Sequence, residues 1–567
     1  MLIANIYSYF LDAKPDGKKD TVKINYETRR REEFPVMGAL AAAVMEHTGM
    51  REHIDSMCEY DRARRNVSPG TAVEIMLSII FGYVYKAPLS CIDELLDSAP
   101  VDQLFGPGAA SVRLGDSTFG RALDTLFDAD RAEMIWKCSE MCAAMYGLSS
   151  DVLYMDATNI SLHALPQEER EGVAVPNRSG CPKDGFKGRT HYSMMAATDS
   201  NGLLRCLVPH SGSASDVNMD RDMIERISKK IDCPRFTIVG DCKLANEETV
   251  DLFFEKDLGF VTKCPTNFAK KARDRALEEA EGNMRPCGER EGATVYDADM
   301  EVCGRTLRFV VYNLGHDEED SIEFYMRDGE KRLKAAFGGL MKEDFSCRPD
   351  AERALEAAAG ECALTAYEIT AEVAPYETRA KRPSRGRPRK GEASPPAVTV
   401  YRAEASWEFD ETLARRMGED HGTQVLVTNL PRSDAATANI RDGADAETVM
   451  AAYLGEYKVE HTFRLMKSGL GVGSVYLHTP ERENAMMFVI GVATIVSNIV
   501  DAALAKIRGK RMTMGRLCRR MMPVAVEYDC ADGSMAICGR EGASEEVFRY
   551  LDALGISHGL LLGRGDE

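Results

Sequence analysis

The pattern of apolar and polar residues divides the chain into regions with different predicted secondary structure. Residues 33–150 consist mostly of sequence typical of helices. In one segment, Ser68 is a typical N-cap and Pro69 occupies a typical first helical position. A mostly apolar helix is therefore predicted to begin there and to end before Pro88.

From residue 151, short β-rich segments bounded by turn residues replace the helical pattern. Three neighbouring segments predict strands, and a helix, a strand, a second helix and a last strand follow them. In chain order, these segments are DVLYMDATNISLHA, THYSMMAATDS, LLRCLVPHSG, DVNMDRDMIERISKK, PRFTIVGDC, NEETVDLFFEKDLG and GFVTKCP. Their order predicts an α/β fold in which helices cover the faces of a mixed sheet.

The pattern becomes irregular between about 266 and 444. RTLRFVVYNL, SIEFYMRD and GTQVLVTNL predict strands there, and AERALEAAAGECALTAYEITAE predicts a helix. Further along, the longest apolar stretch is AMMFVIGVATIVSNIV at 485–500. Because it is shorter than the roughly 20 residues needed to cross a membrane, it predicts a buried core helix, and no membrane partner is expected.

Composition limits the class of protein. The 567 residues are too many for one core and predict two to four domains, and the apolar fraction of 44% is typical of a folded protein. The net charge of −19 argues against coating nucleic acid by bulk charge, although local basic surfaces can still bind it. The 16 cysteines show no zinc-binding spacing and no signal peptide is evident, so a cytoplasmic protein with reduced thiols is expected.

Two aspartates follow predicted buried strands. Asp156 comes after the run VLYM, and Asp241 comes after TIVG. A single aspartate in such a place is usually a turn or cap residue. If the two strands are neighbours, however, the carboxylates converge, and Mg²⁺ is the cation that prefers such oxygen ligands.

A third carboxylate lies in the predicted helix around YKVEHTFRLMK. At about 100° per residue, five residues fall on one face of this helix: Tyr453, Glu456, Glu460, Arg464 and Lys467. Val459, Phe463, Met466 and Leu470 form an adjacent apolar stripe that can pack on the sheet. Periodicity alone still favours a solvated face with Glu460 and Arg464 as an ion pair.

These residues together resemble a DDE transposase of the insertion-sequence-four superfamily. YMDATNISLHA and IVGDCKLANEETVDLF resemble the first two acidic motifs of that family. Tyr453, Glu460 and Lys467 have the spacing of its Y-R-E-K signature, but Glu456 stands in the arginine position. The resemblance covers roughly residues 35 to 505.

The resemblance implies an RNase H-like catalytic core, with Asp156 on its first strand, Asp241 on its fourth and Glu460 on a later helix. These three would be the catalytic residues and would bind Mg²⁺, for which Mn²⁺ can substitute. Tyr453 and Lys467 would contact DNA phosphates. Arg464 would help Lys467 to neutralise the phosphate charge, and the remaining acid, Glu456, is a rival third carboxylate.

The same resemblance suggests five regions. They are a helical N-terminal region that binds DNA ends at 1–150, the first part of the core at 151–265, a β-rich insertion with a basic linker at 266–444, the second part of the core with the catalytic Glu at 445–505, and a basic C-terminal region at 506–567.

Two basic stretches are candidates for further DNA contacts. SRGRPRK contains Arg385 and Arg387 in the order of an AT-hook, which lies in an A·T-rich minor groove. A solvated linker is the alternative for this stretch. The basic residues of 506–520 are candidates for contact with a phosphate backbone, and the alternative is that they offset acidic surface elsewhere.

The predicted function is that of a transposase that cleaves DNA at the ends of its element and transfers the strands into target DNA. Its partners would be the terminal repeats and target DNA, bound as a homodimer on the nucleoid in the cytoplasm. Two alternatives stay open: a stand-alone RNase H-like nuclease, and a catalytically silent DNA-binding protein derived from a transposase.

Overall fold

A computed structural model describes most of the chain between residues 31 and 562. Residues outside the description are 1–30, 64–66, 84–88, 112, 149, 163–174, 176, 180–189, 231–235, 289, 316–317, 363–364, 380–395, 434, 436, 470–476, 478, 510–511 and 563–567. Arg385 and Arg387 therefore lie outside the described residues.

Helices and strands alternate along the described residues. The helices are α1 (Val36–His47), α2 (Met50–Met57), α3 (Pro69–Gly82), α4 (Ile92–Leu96), α5 (Val101–Phe105), α6 (Asp116–Asp128), α7 (Arg131–Tyr146), α8 (Asp216–Ser228), α9 (Glu247–Glu255), α10 (Lys270–Ala280), α11 (Glu318–Leu340), α12 (Arg348–Glu361), α13 (Glu411–Gly422), α14 (Ala446–Leu454), α15 (Tyr457–Arg464), α16 (Pro480–Arg508), α17 (Met514–Met521), α18 (Ala543–Leu554) and α19 (Gly559–Leu562). The strands are β1 (Arg31–Pro35), β2 (Val152–Leu162), β3 (Arg178–Ser179), β4 (Thr190–Asp199), β5 (Leu204–Ser211), β6 (Thr237–Gly240), β7 (Gly259–Lys263), β8 (Arg285–Pro286), β9 (Thr294–Val302), β10 (Arg305–Asn313), β11 (Tyr367–Arg379), β12 (Ala397–Phe409), β13 (Thr423–Thr428), β14 (Ala525–Asp529) and β15 (Met535–Cys538).

A large mixed sheet forms the centre of the molecule. β2 pairs antiparallel with β4, and β4 pairs antiparallel with β5. On its other side β2 pairs parallel with β6, which pairs parallel with β7. Helices connect the later strands, since α8 follows β5 and α9 follows β6. This order of three antiparallel strands and two parallel ones is consistent with an RNase H-like fold.

Part of the range 266–444 continues this sheet. β13 pairs antiparallel with β7, β10 pairs with β13, and β9 pairs with β10. Strand pairing satisfies the backbone groups that β7 would otherwise expose at the edge of the sheet. β11 and β12 instead form a separate two-stranded sheet, which packs with α11 and α12.

Two local predictions in this range are wrong. SIEFYMRD lies within the helix α11, where ion pairs between residues four apart, Asp328–Arg332 and Glu330–Lys334, stabilise the helix. The helix predicted for AERALEAAAGECALTAYEITAE ends at Glu361, and Tyr367 begins the strand β11. That strand alternates buried and exposed side chains because it covers the small core beneath it.

The N-terminal helices share a core with the long helix α16. α3 begins at Pro69 with Ser68 as its N-cap, as predicted, and the Ser68 side chain accepts a hydrogen bond from the Thr71 amide. α6 and α7 pack against α16, and Arg482 of α16 forms an ion pair with Asp124 of α6 at 2.7 Å. α16 is long and apolar enough to cross a membrane, but 83% of its most apolar window is buried inside the structure.

The two ends of the described chain meet. β1 pairs antiparallel with β14, and β14 pairs with β15, so a small sheet joins residues 31–35 to residues 525–538. α18 packs on β15 and α16, and α19 packs on α1. The C-terminal region is thus attached to the N-terminal helices by backbone hydrogen bonds as well as by apolar contacts.

Candidate active site

Asp156 and Asp241 lie side by side on neighbouring strands, with Asp241 directly after the last residue of β6. Asp156 lies within β2, which continues to Leu162, so the prediction that Asp156 follows its strand is wrong. In the parallel pair of β2 and β6, Met155 is the register partner of Gly240, so the next residue on each strand is an aspartate. The Asp241 carboxylate accepts a hydrogen bond from the Lys243 amide at 2.9 Å. Thr262 of β7 donates to the Asp241 carbonyl at 2.6 Å, which fixes the turn after β6.

The alternation of side chains along β2 decides which face Asp156 occupies. Residues two apart on a strand share a face, so Asp156 lies on the same face as Tyr154. Tyr154 belongs to the core that also contains Val459 and Phe463 of α15. The Asp156 side chain therefore projects toward the face of the sheet on which α15 packs.

α15 is held on this face by its apolar side. Val459, Phe463 and, in the turn after α15, Met466 are buried as the predicted stripe required. Thr198 of β4 donates a hydrogen bond to Thr462 at 3.3 Å. These contacts place the apolar side of α15 against β2 and β4 and leave Glu460 exposed to solvent.

The helix face predicted from sequence is interrupted by a tightened turn. α14 ends at Leu454 and α15 begins at Tyr457, and the amides of Gly455, Glu456 and Lys458 bond to carbonyls three residues earlier. A Cβ atom on Gly455 would lie 2.1 Å from the Tyr154 hydroxyl oxygen, so only glycine permits this close approach. The assumption of one continuous helix from 453 to 470 was therefore wrong, because the chain tightens where it crosses β2.

Glu456 is the glutamate that interacts with the aspartate pair. Its side chain is partly buried, and burial together with repulsion from Asp156 and Asp241 raises its pKa to about 7. A hydrogen bond from the Tyr453 hydroxyl opposes this rise in pKa. Glu460, one turn further on, is exposed and adds to the negative potential at Glu456.

α8 supplies further charges that sequence reasoning missed. Lys243, two residues after Asp241, forms an ion pair with Asp216 at the start of α8, and its Nζ lies 3.9 Å from an Asp241 carboxylate oxygen. Asp220, one turn after Asp216, is only 7% exposed. Burial, followed by repulsion from Asp241 and Asp216, raises the pKa of Asp220 to about 7. The four-residue spacing of the two α8 aspartates was the sequence signal that places both side chains on one side of the helix.

The carboxylate oxygens of this acidic cluster are ligands of the type that a hard divalent cation prefers. Among the residues that the structure describes, no three carboxylate, histidine or cysteine side chains stand close enough together to hold an ion as they are. Mg²⁺, however, usually takes one or two protein carboxylates and completes its shell with water and substrate phosphate. Burial is the main cause of the raised pKa values of Glu456 and Asp220, and repulsion from Asp241 and Asp156 adds to it, which a bound cation would offset.

The predicted DNA-binding residues lie in different settings. Tyr453 is partly buried on α14 and donates its hydroxyl hydrogen to Glu456. Arg464 is exposed at the end of α15, and Lys467 is partly buried in the π-helical turn Leu465–Gly469. Tyr453 therefore contacts the acidic cluster through Glu456, and Arg464 and Lys467 follow Glu460 along the chain.

Comparison with known families assigns most of the chain. Residues 147–496 match the family described as Transposase DDE domain, and residues 36–139 match a domain of unknown function, DUF4277. No curated protein matches the chain. The longer match contains Asp156, Asp241 and Glu460 and spans more than half of the 567 residues.

Proposed function

The chain belongs to the transposase DDE domain family, and from this premise we propose that it cleaves DNA at the ends of its own element and joins the freed strands to target DNA. The observation that carries the proposal is the placement of Asp156 and Asp241 side by side on neighbouring parallel strands, at the point where β6 ends. Substrate DNA would enter at that point, where its phosphates meet the acidic cluster.

Asp156, Asp241 and Glu460 are the proposed ligands of Mg²⁺, with Mn²⁺ as a substitute. When bound, a pair of such ions stabilises the attacking and the leaving oxygen of an in-line phosphoryl displacement. The chain itself contributes fixed geometry, since the strand register holds the two aspartates level and the packing of Val459 and Phe463 holds the helix. A site built on strands and a packed helix positions its ligands more accurately than one on loops.

Glu460 is proposed as the third ligand because Tyr453 and Lys467 lie at the family spacing from it. Glu456 is the competing ligand, and its interaction with Asp156 and Asp241 favours it on electrostatic grounds. Glu456 directly precedes α15, and Glu460 lies in its first turn, four residues further on. Separate substitution of each residue decides between them.

Tyr453, Arg464 and Lys467 are proposed to hold the DNA phosphates next to the cut. Lysine and arginine neutralise phosphate charge, and the released counterions favour binding. Arg385 and Arg387 are proposed to reach DNA beyond the cleft. The active species is proposed to be a homodimer on the element ends, located on the nucleoid in the cytoplasm.

The experiment that tests the proposed function is a reaction of the purified chain with the DNA that flanks its own gene. With Mg²⁺ and a target plasmid present, sequencing of the products should reveal cuts at defined element ends and junctions with the target. Cuts without junctions would instead identify a stand-alone nuclease. Specific binding without cuts under any divalent ion would identify a silent DNA-binding protein and overturn the proposal.

A further inference from the structure

The basic stretch at 506–520 divides into two groups with different environments. Arg508 and Arg520, together with Arg540, surround the carboxylate of Glu546. The Arg508 and Arg520 nitrogens lie 3.2 Å and 2.9 Å from a Glu546 carboxylate oxygen, and Glu546 is only 4% exposed. These arginines stabilise a buried carboxylate inside the C-terminal region, so one part of the stretch has a structural role.

The second group points outward. Lys506 at the end of α16 and Arg516 and Arg519 on α17 are all exposed. Within the described residues, none of these three side chains forms an ion pair, in contrast to Arg508 and Arg520. Arg516 and Arg519 are three residues apart on one side of α17, and neither they nor Lys506 has an ion-pair partner in the described part of the chain.

The packing of α17 fixes this orientation. Met514, Leu517 and Met521 repeat at helical spacing and are buried. With the apolar side of the helix packed inward, the side chains of Arg516 and Arg519 are directed to solvent. Basic residues clustered on one side of a helix are the pattern by which an acidic protein can still contact nucleic acid.

The position of α17 relates this surface to the active site. α17 packs against the π-helical turn Leu465–Gly469, which directly continues the helix α15. That turn contains Lys467, and α15 carries Glu460. α17 therefore packs directly against the segment that follows the helix carrying Glu460.

Because the chain is negatively charged overall, DNA binding requires a local basic surface. The chain carries a net charge of −19, which repels a polyanion at long range. Binding must therefore depend on basic residues clustered in a few places. Arg516 and Arg519 lie together on α17, Lys506 lies near the end of α16, and neither helix carries Asp156 or Asp241.

We propose that Lys506, Arg516 and Arg519 form a second phosphate-binding surface, which holds the backbone of duplex DNA beyond the catalytic cleft. The proposal rests on the proposed function for the direction in which the DNA runs. The ligand is the phosphodiester backbone, so the surface should contribute affinity without base preference.

The test compares binding of two duplexes of equal length, one from the flanking DNA of the gene and one of random sequence. Arg516→Ala/Arg519→Ala should weaken binding to both duplexes by a similar factor. Loss of two phosphate contacts should reduce the slope of log affinity against log salt by about 1.8, since each contact contributes about 0.9. Arg516→Lys/Arg519→Lys keeps the charge and should retain most of the affinity.

Arg348→Ala/Arg353→Ala is the matched control, because it removes the same charge from exposed positions on α12. Its affinity and salt slope should equal those of the unmodified protein. An equal loss in the control would show a general charge effect and overturn the proposal. An unchanged salt slope in the α17 variant, with thermal unfolding also unchanged, would overturn it as well.

Cleavage separates this proposal from the proposed function. At saturating protein and with Mg²⁺, the α17 variant should cut as fast as the unmodified chain, because Asp156 and Asp241 are intact. If the unmodified chain cuts no DNA, the proposed function fails, while a weaker salt slope in the variant still supports the second surface. If both proteins cut equally and bind equally, the second surface is rejected and the proposed function stands.

Discussion

Asp156 and Asp241 occupy the same level of two parallel strands, each one residue beyond the register pair formed by Met155 and Gly240. Asp156→Asn and Asp241→Asn should each reduce strand cleavage to background while leaving specific end binding within about twofold. Each change removes a ligand charge but little volume. Product sequencing and a binding titration measure the two effects separately. Near-normal cleavage by either variant would exclude that aspartate as an essential ligand.

The third carboxylate can be identified by a pair of matched substitutions. Glu460→Gln should abolish cleavage, whereas Glu456→Gln should keep measurable cleavage because Glu460 is still present. The same two variants should be titrated with Mn²⁺, since loss of a ligand weakens metal binding as well as the reaction. The opposite result, with cleavage lost only in Glu456→Gln, would assign the ligand role to Glu456.

Glu456 and Asp220 should make the metal-free protein less stable as the pH rises. Their ordinary pKa values are 4.5 and 3.8, whereas both are raised to about 7 in the folded protein. The folded state thus binds these two protons more tightly than the unfolded state does. The free energy of unfolding that the two groups contribute below about pH 4 is therefore lost as the pH rises to about 7. After solvent screening, the loss is on the order of 1–3 kcal/mol.

Urea unfolding at both ends of this pH window measures the effect. Glu456→Gln should flatten the dependence on pH, because a neutral amide is not repelled by Asp156 or Asp241. Added Mg²⁺ should stabilise the unmodified protein most at the upper end of the window. A stability that increases with pH across the window in the metal-free protein would contradict the proposed charge repulsion.

Gly455→Ala should disturb the helix that carries the glutamates. The added Cβ would lie 2.1 Å from the Tyr154 hydroxyl oxygen and 2.5 Å from the ring carbon that bears it. Such overpacking costs about 1–3 kcal/mol, and the shift of α15 should also lower the cleavage rate. Thermal unfolding and cleavage assays measure the two effects. Tyr154→Phe removes the nearest atom and should partly rescue Gly455→Ala, and a lack of coupling would exclude this contact as the cause.

The Arg/Pro stretch is predicted from sequence alone to contribute to DNA binding. Arg385→Ala/Arg387→Ala should weaken binding, reduce the salt slope by up to about 1.8 and lower any preference for A·T-rich duplexes. Cleavage at saturating protein should persist. Duplexes of different A·T content, titrated at several salt concentrations, measure these effects. Unchanged affinity, slope and base preference would leave the stretch as a linker.

The sequence contained enough information for the core sheet because its signals are local. The run VLYM before Asp156 and the run TIVG before Asp241 marked two strands, and both are strands in the structure. Ser68 marked the start of a helix for a similar reason, because its side chain accepts a hydrogen bond from the backbone amide three residues later. Periodicity and capping depend on neighbouring residues and can therefore be recognised without the fold.

The errors arose where distant residues decide the conformation. Tyr154 forces the chain to tighten at Gly455, so a helical wheel drawn through 453–467 placed Tyr453 and Glu460 on one face. Nothing adjacent in sequence indicates that contact. Lys243 and Asp220 were missed because their role depends on how α8 packs beside the turn that follows β6. The spacing of residues along the sequence does not show which charged side chains come together from different helices and strands.

The pairing of β1 with β14 links the order of synthesis to the order of folding. β1 includes Phe34, which is fully buried, and its partner strand begins at Ala525. Nearly the whole chain must therefore be synthesised before β1 can pair with β14. The catalytic sheet can form earlier from its own strands, whereas the small sheet at the chain ends is completed last. A nascent or prematurely terminated chain would leave the backbone groups of β1 without their partners on β14, although the Phe34 ring already packs against Tyr83 and Phe105.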